Sequence, residues 1–267
     1  FGKIYYTKKG KGSPLLLIHD TMPGASGYEW SRVEDQLAQE HTVYTLDLLG
    51  CGRSEKAGIT YTNFLFVQII CDFIKNVIKE KTDIIASGFS CSFVTTAAAY
   101  DKESINKIMF INPVSMISLA QTTTKKDKLF KFFIELPIFG TFIYHIIVSR
   151  ETINDFFLDK LYYNPFHVDK DVLDAYYEAA HKGGYYAKCL YSSQSAKYMN
   201  INIRHAVESI DNSIYIVEGE DEPNGAAIVE AYQKVNPAIE SATIPCSKHF
   251  PHIENVDAFL EQVGAFF

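Results

Sequence analysis

One serine lies between two small residues, in a segment that could put it on a sharp turn. Residues 84–87 are apolar or small, the chain continues as Gly88-x-Ser90-x-Ser92, and a helix-compatible run of small residues follows. This order predicts a strand, a tight turn and a helix, with Ser90 at the apex. A serine at such an apex is held in a strained backbone conformation that exposes its hydroxyl, and its neighbours two positions away must be small. Ser90 is therefore a candidate nucleophile, although an ordinary turn serine would give the same pattern.

An acid and a histidine follow the serine, each after a further predicted strand. One strand leads to the three acidic residues 220–222, and the last strand leads to His249. Because the carboxyl ends of parallel strands meet at one edge of a sheet, we expect these groups to gather near Ser90. Serine, acid and histidine in this order are typical of acyl transfer, in which the histidine takes the hydroxyl proton and the acid orients the imidazole.

Strands and helices alternate along most of the chain, which is the pattern of a mostly parallel sheet covered by helices on both faces. The second predicted strand is an uninterrupted apolar run, as expected for a strand buried on both faces. A glycine-rich connection follows the third strand. The predicted strands lie at residues 4–7, 14–18, 43–46, 84–87, 107–111, 213–217 and 242–244.

The alternation stops between residues 114 and 207, where the pattern is helical and rich in Phe and Tyr. We therefore predict one α/β core domain, formed by residues 1–113 and 208–267, with residues 114–207 inserted as a helical cap. Most of the cap rings are expected to form the cap's own core. Others should line the route to the site, which favours an apolar substrate with little charge.

Composition excludes some classes of function. The 267 residues carry a net charge of −7, which does not suggest a nucleic-acid partner. Five scattered cysteines argue against a zinc site or a disulfide framework and favour a reducing, cytoplasmic compartment. Charged residues, Pro and Gly interrupt the most apolar stretch, residues 129–148, so a membrane span is not expected. The chain begins with Phe1, so we expect a processed chain, whose upstream signal or anchor is not visible. Oligomeric state is left open.

The motifs together resemble the α/β-hydrolase superfamily, in its capped, esterase-like branch. The resemblance rests on Gly-x-Ser-x-small, Gly-x-x-acid, His-Phe-Pro-His and the loop Asp-x-x-Gly-x-Gly-x-Ser at residues 47–54. It implies an α/β-hydrolase fold and a site that needs no metal or organic cofactor. It also implies specific roles: Ser90 as nucleophile, Glu222 as acid, His249 as base, and the backbone N–H groups of Thr21 and Cys91 as oxyanion donors.

Two positions depart from the family pattern. The family usually has glycine where this chain has Asp20, and an Asp20 carboxylate directed at the oxyanion hole would oppose the charge that catalysis must stabilise. The acid is glutamate where aspartate is usual, which leaves Asp221 as an alternative to Glu222. A metal site formed by His249, His252 and Glu254 has suitable residue types but lacks a further ligand, and His252 is interpreted as structural.

Three functions remain open. The first is a serine hydrolase that cleaves an apolar carboxylic ester or related acyl bond through an acyl-enzyme. The second is a binding or regulatory protein on the hydrolase scaffold with little or no turnover, which Asp20 motivates. The third keeps the triad but performs carbon–carbon bond hydrolysis or acyl transfer.

Overall fold

A seven-stranded sheet forms the centre of the computed structural model, which describes residues 2–267. The strand order is β1-β3-β2-β4-β5-β6-β7; β1 runs antiparallel to β3, and every other neighbouring pair is parallel. The predicted mostly parallel sheet is confirmed. The strands are β1 (Tyr6–Lys9), β2 (Ser13–Ile18), β3 (His41–Leu46), β4 (Thr82–Ser87), β5 (Ile105–Ile111), β6 (Ile214–Gly219) and β7 (Glu240–Ile244).

Helices cover both faces of the sheet, as the α/β-hydrolase fold class predicts. In the described chain the α-helices are α1 (Glu34–Leu37), α2 (Asn63–Phe73), α3 (Ser90–Tyr100), α4 (Met116–Leu119), α5 (Lys125–Glu135), α6 (Phe139–Ile147), α7 (Arg150–Phe156), α8 (Lys170–His181), α9 (Lys188–Ser195), α10 (Arg204–Ser209), α11 (Gly225–Val235), α12 (Pro251–Glu254) and α13 (Val256–Phe266). Short 3-10 helices lie at Gly27–Trp30, Pro165–His167 and Gly184–Ala187, and π-helical turns at Ile74–Ile78 and Phe157–Leu161.

The apolar runs of the central strands explain this layering. Leu15, Leu16, Leu17 and Ile18 of β2 are all fully buried. Successive side chains of a strand point to opposite faces, so β2 feeds both cores. Leu16 and Ile18 pack in the cluster that contains α2 and α3, while Leu15 and Leu17 pack in the cluster that contains α13.

All described elements between β5 and β6 are helical, from α4 to α10. Four rings of this segment, Tyr144, Phe157, Tyr162 and Tyr176, are buried in a cluster that also contains Phe250. The prediction that most cap rings form the cap's own core is wrong, because most of the Phe and Tyr side chains of the segment are exposed. The division into a core domain and a cap at residues 114–207 stays a prediction. No single helix in residues 2–267 is long and apolar enough to cross a membrane, although α5 and α6, bent by 97° at their connection, pass that test as a pair.

Candidate active site

The sharp turn between β4 and α3 has its apex at Gly88 and not at Ser90. Strand β4 ends at Ser87, Gly88 has a φ of +55°, and Ser90 is the first residue of α3. Ser90 is absent from the described residues with positive φ. Glycine enters this left-handed region without the steric cost of a Cβ atom, so it takes the strained position. The prediction that Ser90 occupies the apex is wrong by two residues.

The hydroxyl of Ser90 is also not exposed, as an elbow nucleophile would be. Ser90 is fully buried, and its Oγ donates a hydrogen bond to the carbonyl oxygen of His19 at 2.6 Å. The imidazole of His249 contacts Asp20 and Glu222 instead of Ser90. The residues flanking the true apex at a distance of two are Ala86 and Ser90, so Ser90 is the small neighbour that lets strand and helix approach.

The carboxylate of Asp20 occupies the space above the elbow. A Cβ atom added to Gly88 would overlap the carboxyl group of Asp20. Asp20 Oδ1 accepts hydrogen bonds from the N–H of Thr21 at 2.6 Å and of Phe89 at 2.8 Å. In an elbow hydrolase, the N–H after the apex residue and an N–H of the neighbouring strand-end loop form the oxyanion hole. The corresponding donors here bind a carboxylate of the protein itself.

The two predicted oxyanion donors have different outcomes. The N–H of Thr21 donates to the Asp20 carboxylate, so its role as an oxyanion donor stays a prediction. The N–H of Cys91 donates to the carbonyl oxygen of Gly88 at 3.4 Å within the first turn, so the prediction for Cys91 is wrong. Because the apex is Gly88 and not Ser90, the residue after the apex is Phe89, and its N–H takes the place that the prediction gave to Cys91.

His249 lies between two carboxylates. Its Nε2 is 3.3 Å from Asp20 Oδ2 and its Nδ1 is 3.4 Å from Glu222 Oε1. The structure thus brings Glu222, and not its alternative Asp221, to the histidine. The three side chains are only 11%, 15% and 18% exposed for Asp20, His249 and Glu222. They form a continuous row, Asp20–His249–Glu222, at the carboxyl edge of the sheet.

The contacts between Asp20 and His249 favour the ionised form of both side chains. Burial disfavours the carboxylate of Asp20, but the hydrogen bond and positive charge of His249 outweigh it and lower the pKa of Asp20. Burial likewise favours neutral His249, but Asp20 and Glu222 outweigh it and raise the pKa of His249 to about 10. At neutral pH His249 is therefore an imidazolium that faces the ionised carboxylate of Asp20.

The charged imidazolium predicts a loss of stability at alkaline pH. The pKa of His249 is about 10 in the folded state, against the ordinary histidine value of 6.5. The folded state therefore binds this proton more tightly, and the stabilisation is complete below about pH 6.5 and is lost as the pH rises toward 10. From pH 6.5 to about pH 9 we expect this group to lower the free energy of unfolding by on the order of 3 kcal/mol, measured by urea denaturation.

An NMR titration of the His249 ring separates this group from others that titrate in the same range. The ring signals should keep their imidazolium positions through about pH 8. In an Asp20→Asn variant, which removes one of the two carboxylates, the midpoint should move to lower pH. A wild-type ring that titrates near pH 6.5 would contradict the assigned charge state.

Buried polar groups hold Asp20 in this position. The backbone N–H of Asp20 donates to Glu29 Oε2 at 3.1 Å, and Ser87 Oγ donates to the other oxygen of Glu29. His19 Nδ1 contacts the carbonyl oxygen of Asp20 at 2.5 Å, while its Nε2 accepts the N–H of Leu48 at 3.1 Å. His19 therefore supports the loop in its Nδ1-protonated form.

Asn112 holds the loop that contains His249 in place through hydrogen bonds. It has a φ of +43°, and its side-chain amide donates to the carbonyl oxygens of Lys248 and His249 at 2.8 and 2.9 Å. Its Oδ1 accepts the N–H of Gly219 at 3.1 Å. The backbone N–H of His249 also donates to the carbonyl oxygen of Leu161, which ties this loop to the inserted helices.

Sequence reasoning missed Gly88 and Glu29. A usable signal existed for Gly88, because Ala86-x-Gly88-x-Ser90 fits the small-x-apex-x-small pattern as well as the frame centred on Ser90. No motif marks Glu29, whose burial depends on the packing of the Gly27–Trp30 helix against the sheet.

His249, His252 and Glu254, which the sequence analysis considered as a metal site and set aside, do not form a cluster. His252 is fully buried with its Nε2 3.4 Å from Glu29. Glu254 accepts the N–H groups of Tyr163 at 2.7 Å and Lys248 at 2.8 Å. Within residues 2–267 no three His, Cys, Asp or Glu side chains are arranged to hold a metal ion.

Comparison with known proteins identifies a family over nearly the whole chain. The profile of the "Alpha/beta hydrolase family" matches residues 15–262. A 2-hydroxy-6-oxo-6-(2'-aminophenyl)hexa-2,4-dienoic acid hydrolase from Metapseudomonas resinovorans is 28% identical over 114 residues, 42% of this chain and 39% of that protein. A soluble epoxide hydrolase from a Corynebacterium species is 29% identical over 109 residues, 41% of this chain and 37% of that protein. The matched part thus spans about two fifths of these curated relatives.

Solved structures resemble the whole fold at low sequence identity. A serine hydrolase involved in carbazole degradation superposes with a TM-score of 0.78 at 19% identity, covering 98% of this chain and 93% of that one. An epoxide hydrolase superposes with a TM-score of 0.77 at 17% identity, covering 99% and 94%. At such identities the likeness extends to the fold alone.

Proposed function

The chain belongs to the α/β hydrolase family, and from the geometry of its site we propose that it is a hydrolase whose nucleophile is the carboxylate of Asp20. One observation carries the proposal. The Asp20 carboxyl group lies where an elbow side chain would project from Gly88, with Oδ1 on the two oxyanion donors and Oδ2 facing His249. One carboxylate oxygen is thus held by backbone N–H groups, and the other lies beside His249, which can serve as the acid–base group for a carboxylate nucleophile.

The chemistry of a carboxylate nucleophile selects the substrate class. Attack on a carboxylic ester would give an anhydride, which is more reactive than the ester that was cleaved. Attack on the carbon of a strained cyclic ether gives an ordinary alkyl ester, which water can then hydrolyse. We therefore propose that the substrate is an epoxide. The soluble epoxide hydrolase among the relatives supports this class.

In the first step Asp20 Oδ2 attacks a ring carbon, and the carbon–oxygen bond of the ring breaks. The ring oxygen keeps the electron pair and takes the Nε2 proton of the His249 imidazolium. The raised pKa of His249 serves this step, because the proton is already present beside the reacting oxygen at neutral pH. The products are a hydroxyalkyl ester of Asp20 and a neutral imidazole.

The second step uses the neutral imidazole as a base. Esterification has removed the charge of Asp20, which is one of the two charges that raise the pKa of His249, so that pKa falls. His249 then takes a proton from water, and the hydroxide attacks the carboxyl carbon of Asp20. The N–H groups of Thr21 and Phe89 stabilise the charge that develops on Oδ1. The ester bond breaks, and the new carboxyl proton passes to the departing alkoxide, which restores Asp20 and leaves His249 protonated.

Isotope transfer tests this assignment directly. In a single turnover of styrene oxide in water labelled with oxygen-18, with enzyme in excess, the label should enter Asp20 and the diol should be unlabelled. Mass spectrometry of the peptide that contains Asp20 measures the first, and mass spectrometry of the diol the second. Label in the diol during the first turnover would mean direct attack by water and would overturn the nucleophilic role of Asp20.

A second candidate function is binding without turnover, and one observation favours it. Both nitrogens of His249 are already paired with carboxylates, so the imidazole has its hydrogen-bond partners without a substrate. An absence of turnover over a panel of epoxides and esters, together with saturable binding of an apolar compound that Asp20→Asn leaves unchanged, would select this function. Cleavage of an ester through Ser90 has no support in the geometry, since its hydroxyl is buried against His19.

A further inference from the structure

Helices α5 and α6, which lie between β5 and β6, expose large apolar side chains. We call this surface, formed by α5, α6 and their connection, the apolar hairpin face. The exposed fraction reaches 88% for Ile138 at the corner and 65% for Phe142 on α6. Its members are Leu129, Phe132, Ile138, Phe139, Phe142 and Ile146. The exposed positions recur at i, i+3 and i+7 on α6 and at i and i+3 on α5, so each helix presents them on one face. Exposed apolar surface of this kind marks an interaction site.

The opposite side of the same hairpin is packed. Ile134 of α5 and Tyr144 of α6 are buried, and the Tyr144 hydroxyl donates to the carbonyl oxygen of Ala180 at 3.0 Å. At the corner, a Cβ atom on Gly140 would overlap the backbone of Ile134, so the two helices approach closely there. The exposed apolar side chains therefore belong to a hairpin whose opposite side packs against the rest of the protein.

The segment that carries the apolar hairpin face has a net positive charge. Residues 121–149 contain four lysines and two acidic residues, whereas the rest of the chain carries a net charge of −9. Asp127 is engaged with Thr124 and Lys197, and Glu135 with Lys131 and Ser192. Both acidic groups of the segment are thus neutralised locally.

Three lysines remain free at the start of α5. Lys125, Lys126 and Lys128 are exposed, and none of them takes part in a salt bridge within residues 2–267. They lie within one turn of Leu129, so cationic groups flank the exposed apolar residues. Apolar side chains bordered by lysines are the composition of a helix that lies in the interface of a bilayer with anionic lipids.

We propose that the apolar hairpin face docks this protein onto a lipid bilayer whose surface carries anionic headgroups. The rings of α6 and the corner enter the headgroup region, and the lysines of α5 lie over the lipid phosphates. The charge pattern favours a bilayer over a second copy of the chain. Two copies joined through this face would bring two sets of unpaired lysines together, whereas an anionic surface neutralises them.

Vesicle sedimentation tests the proposal on the full chain. The protein should cosediment with vesicles of an equimolar mixture of phosphatidylcholine and phosphatidylglycerol, and added salt should weaken this binding. Each lysine near an anionic surface strengthens binding, so replacing Lys125, Lys126 and Lys128 with Gln should reduce the partition coefficient by about 100-fold. No binding of the wild-type protein to the mixed vesicles would overturn the proposal.

A matched pair of variants separates the hairpin from general hydrophobicity. Phe139→Ser with Phe142→Ser should reduce the partition coefficient at least about 10-fold, because each ring loses apolar contact with the bilayer. Phe64→Ser with Tyr100→Ser removes two rings of similar exposure outside the hairpin and should leave binding unchanged. Equal losses in the two double variants would overturn the proposal. Circular dichroism should show that both double variants are folded.

Size-exclusion chromatography without vesicles tests whether a second copy of the chain covers the apolar hairpin face instead. A dimer that the Phe139→Ser and Phe142→Ser changes convert to a monomer, with no wild-type binding to vesicles, would assign the face to a second copy and overturn the bilayer proposal. A wild-type monomer that cosediments with the mixed vesicles supports it.

Discussion

Replacing Asp20 by asparagine is expected to reduce kcat for epoxide hydrolysis by at least about 10³-fold. The amide preserves the shape of the carboxyl group, and its oxygen can still accept the N–H groups of Thr21 and Phe89. It is a far weaker nucleophile than a carboxylate, so the alkyl-enzyme no longer forms. Steady-state and single-turnover rates on styrene oxide measure the effect, and circular dichroism with urea denaturation measures the fold.

Ser90→Ala is the control for this experiment. Its hydroxyl binds only the carbonyl oxygen of His19, so kcat should change by less than about threefold, although the buried carbonyl oxygen loses a partner at a cost of about 1 kcal/mol or more in stability. If instead Ser90→Ala abolished turnover and Asp20→Asn did not, the serine assignment predicted from the sequence would be restored.

Combining Asp20→Gly with Gly88→Ser is expected to create esterase activity that the wild-type protein lacks. The first change empties the oxyanion hole, and the second puts a hydroxyl on the residue at the apex of the elbow. Each freed donor is worth roughly 3 kcal/mol of barrier when it faces a developing oxyanion. The loss of Asp20 also frees Nε2 of His249 and removes one cause of its raised pKa, so the imidazole can act as a base. Turnover of p-nitrophenyl acetate and fluorophosphonate labelling at position 88 measure the gain.

The two single variants test the geometric basis of that expectation. Gly88→Ser alone should be destabilised by about 2 kcal/mol or more, because the new Cβ overlaps the Asp20 carboxyl group and a non-glycine residue enters positive φ. Asp20→Gly alone removes the carboxyl group but supplies no nucleophile, so it should stay unlabelled. Fluorophosphonate labelling of Ser90 in the wild-type protein would contradict the position of the elbow.

The general architecture was predictable because it depends on patterns that repeat over many residues. The fully apolar run of β2 and the alternation of strands and helices permit few arrangements other than a parallel sheet between two helical layers. The order of the strand ends also brought His249 and Glu222 to one edge of the sheet, and the structure puts them 3.4 Å apart. Predictions of this kind stay correct when the bounds of a strand or helix are wrong by one or two residues.

The identity of the residue at the elbow depended on a shift of two residues, which the sequence pattern does not resolve. Small residues at 86, 88, 90 and 92 satisfy the elbow equally in two frames. Tertiary pairing decides between them, because Ser87 is in register with Ile111 and the N–H of Gly88 donates to Ile111, so the chain turns at Gly88. The low cost of positive φ at glycine reinforces that choice.

Patterns along the chain were enough to predict an α/β hydrolase fold with a histidine, an acid and a strand-to-helix elbow at one edge of the sheet. The group that occupies the elbow could be identified only from the folded structure. Asp20 and Gly88 are 68 positions apart in the sequence, and no local pattern tells that a carboxylate on the loop after β2 occupies the space that the missing side chain leaves after β4. That space exists because β2 and β4 are neighbours in the sheet and end at the same edge.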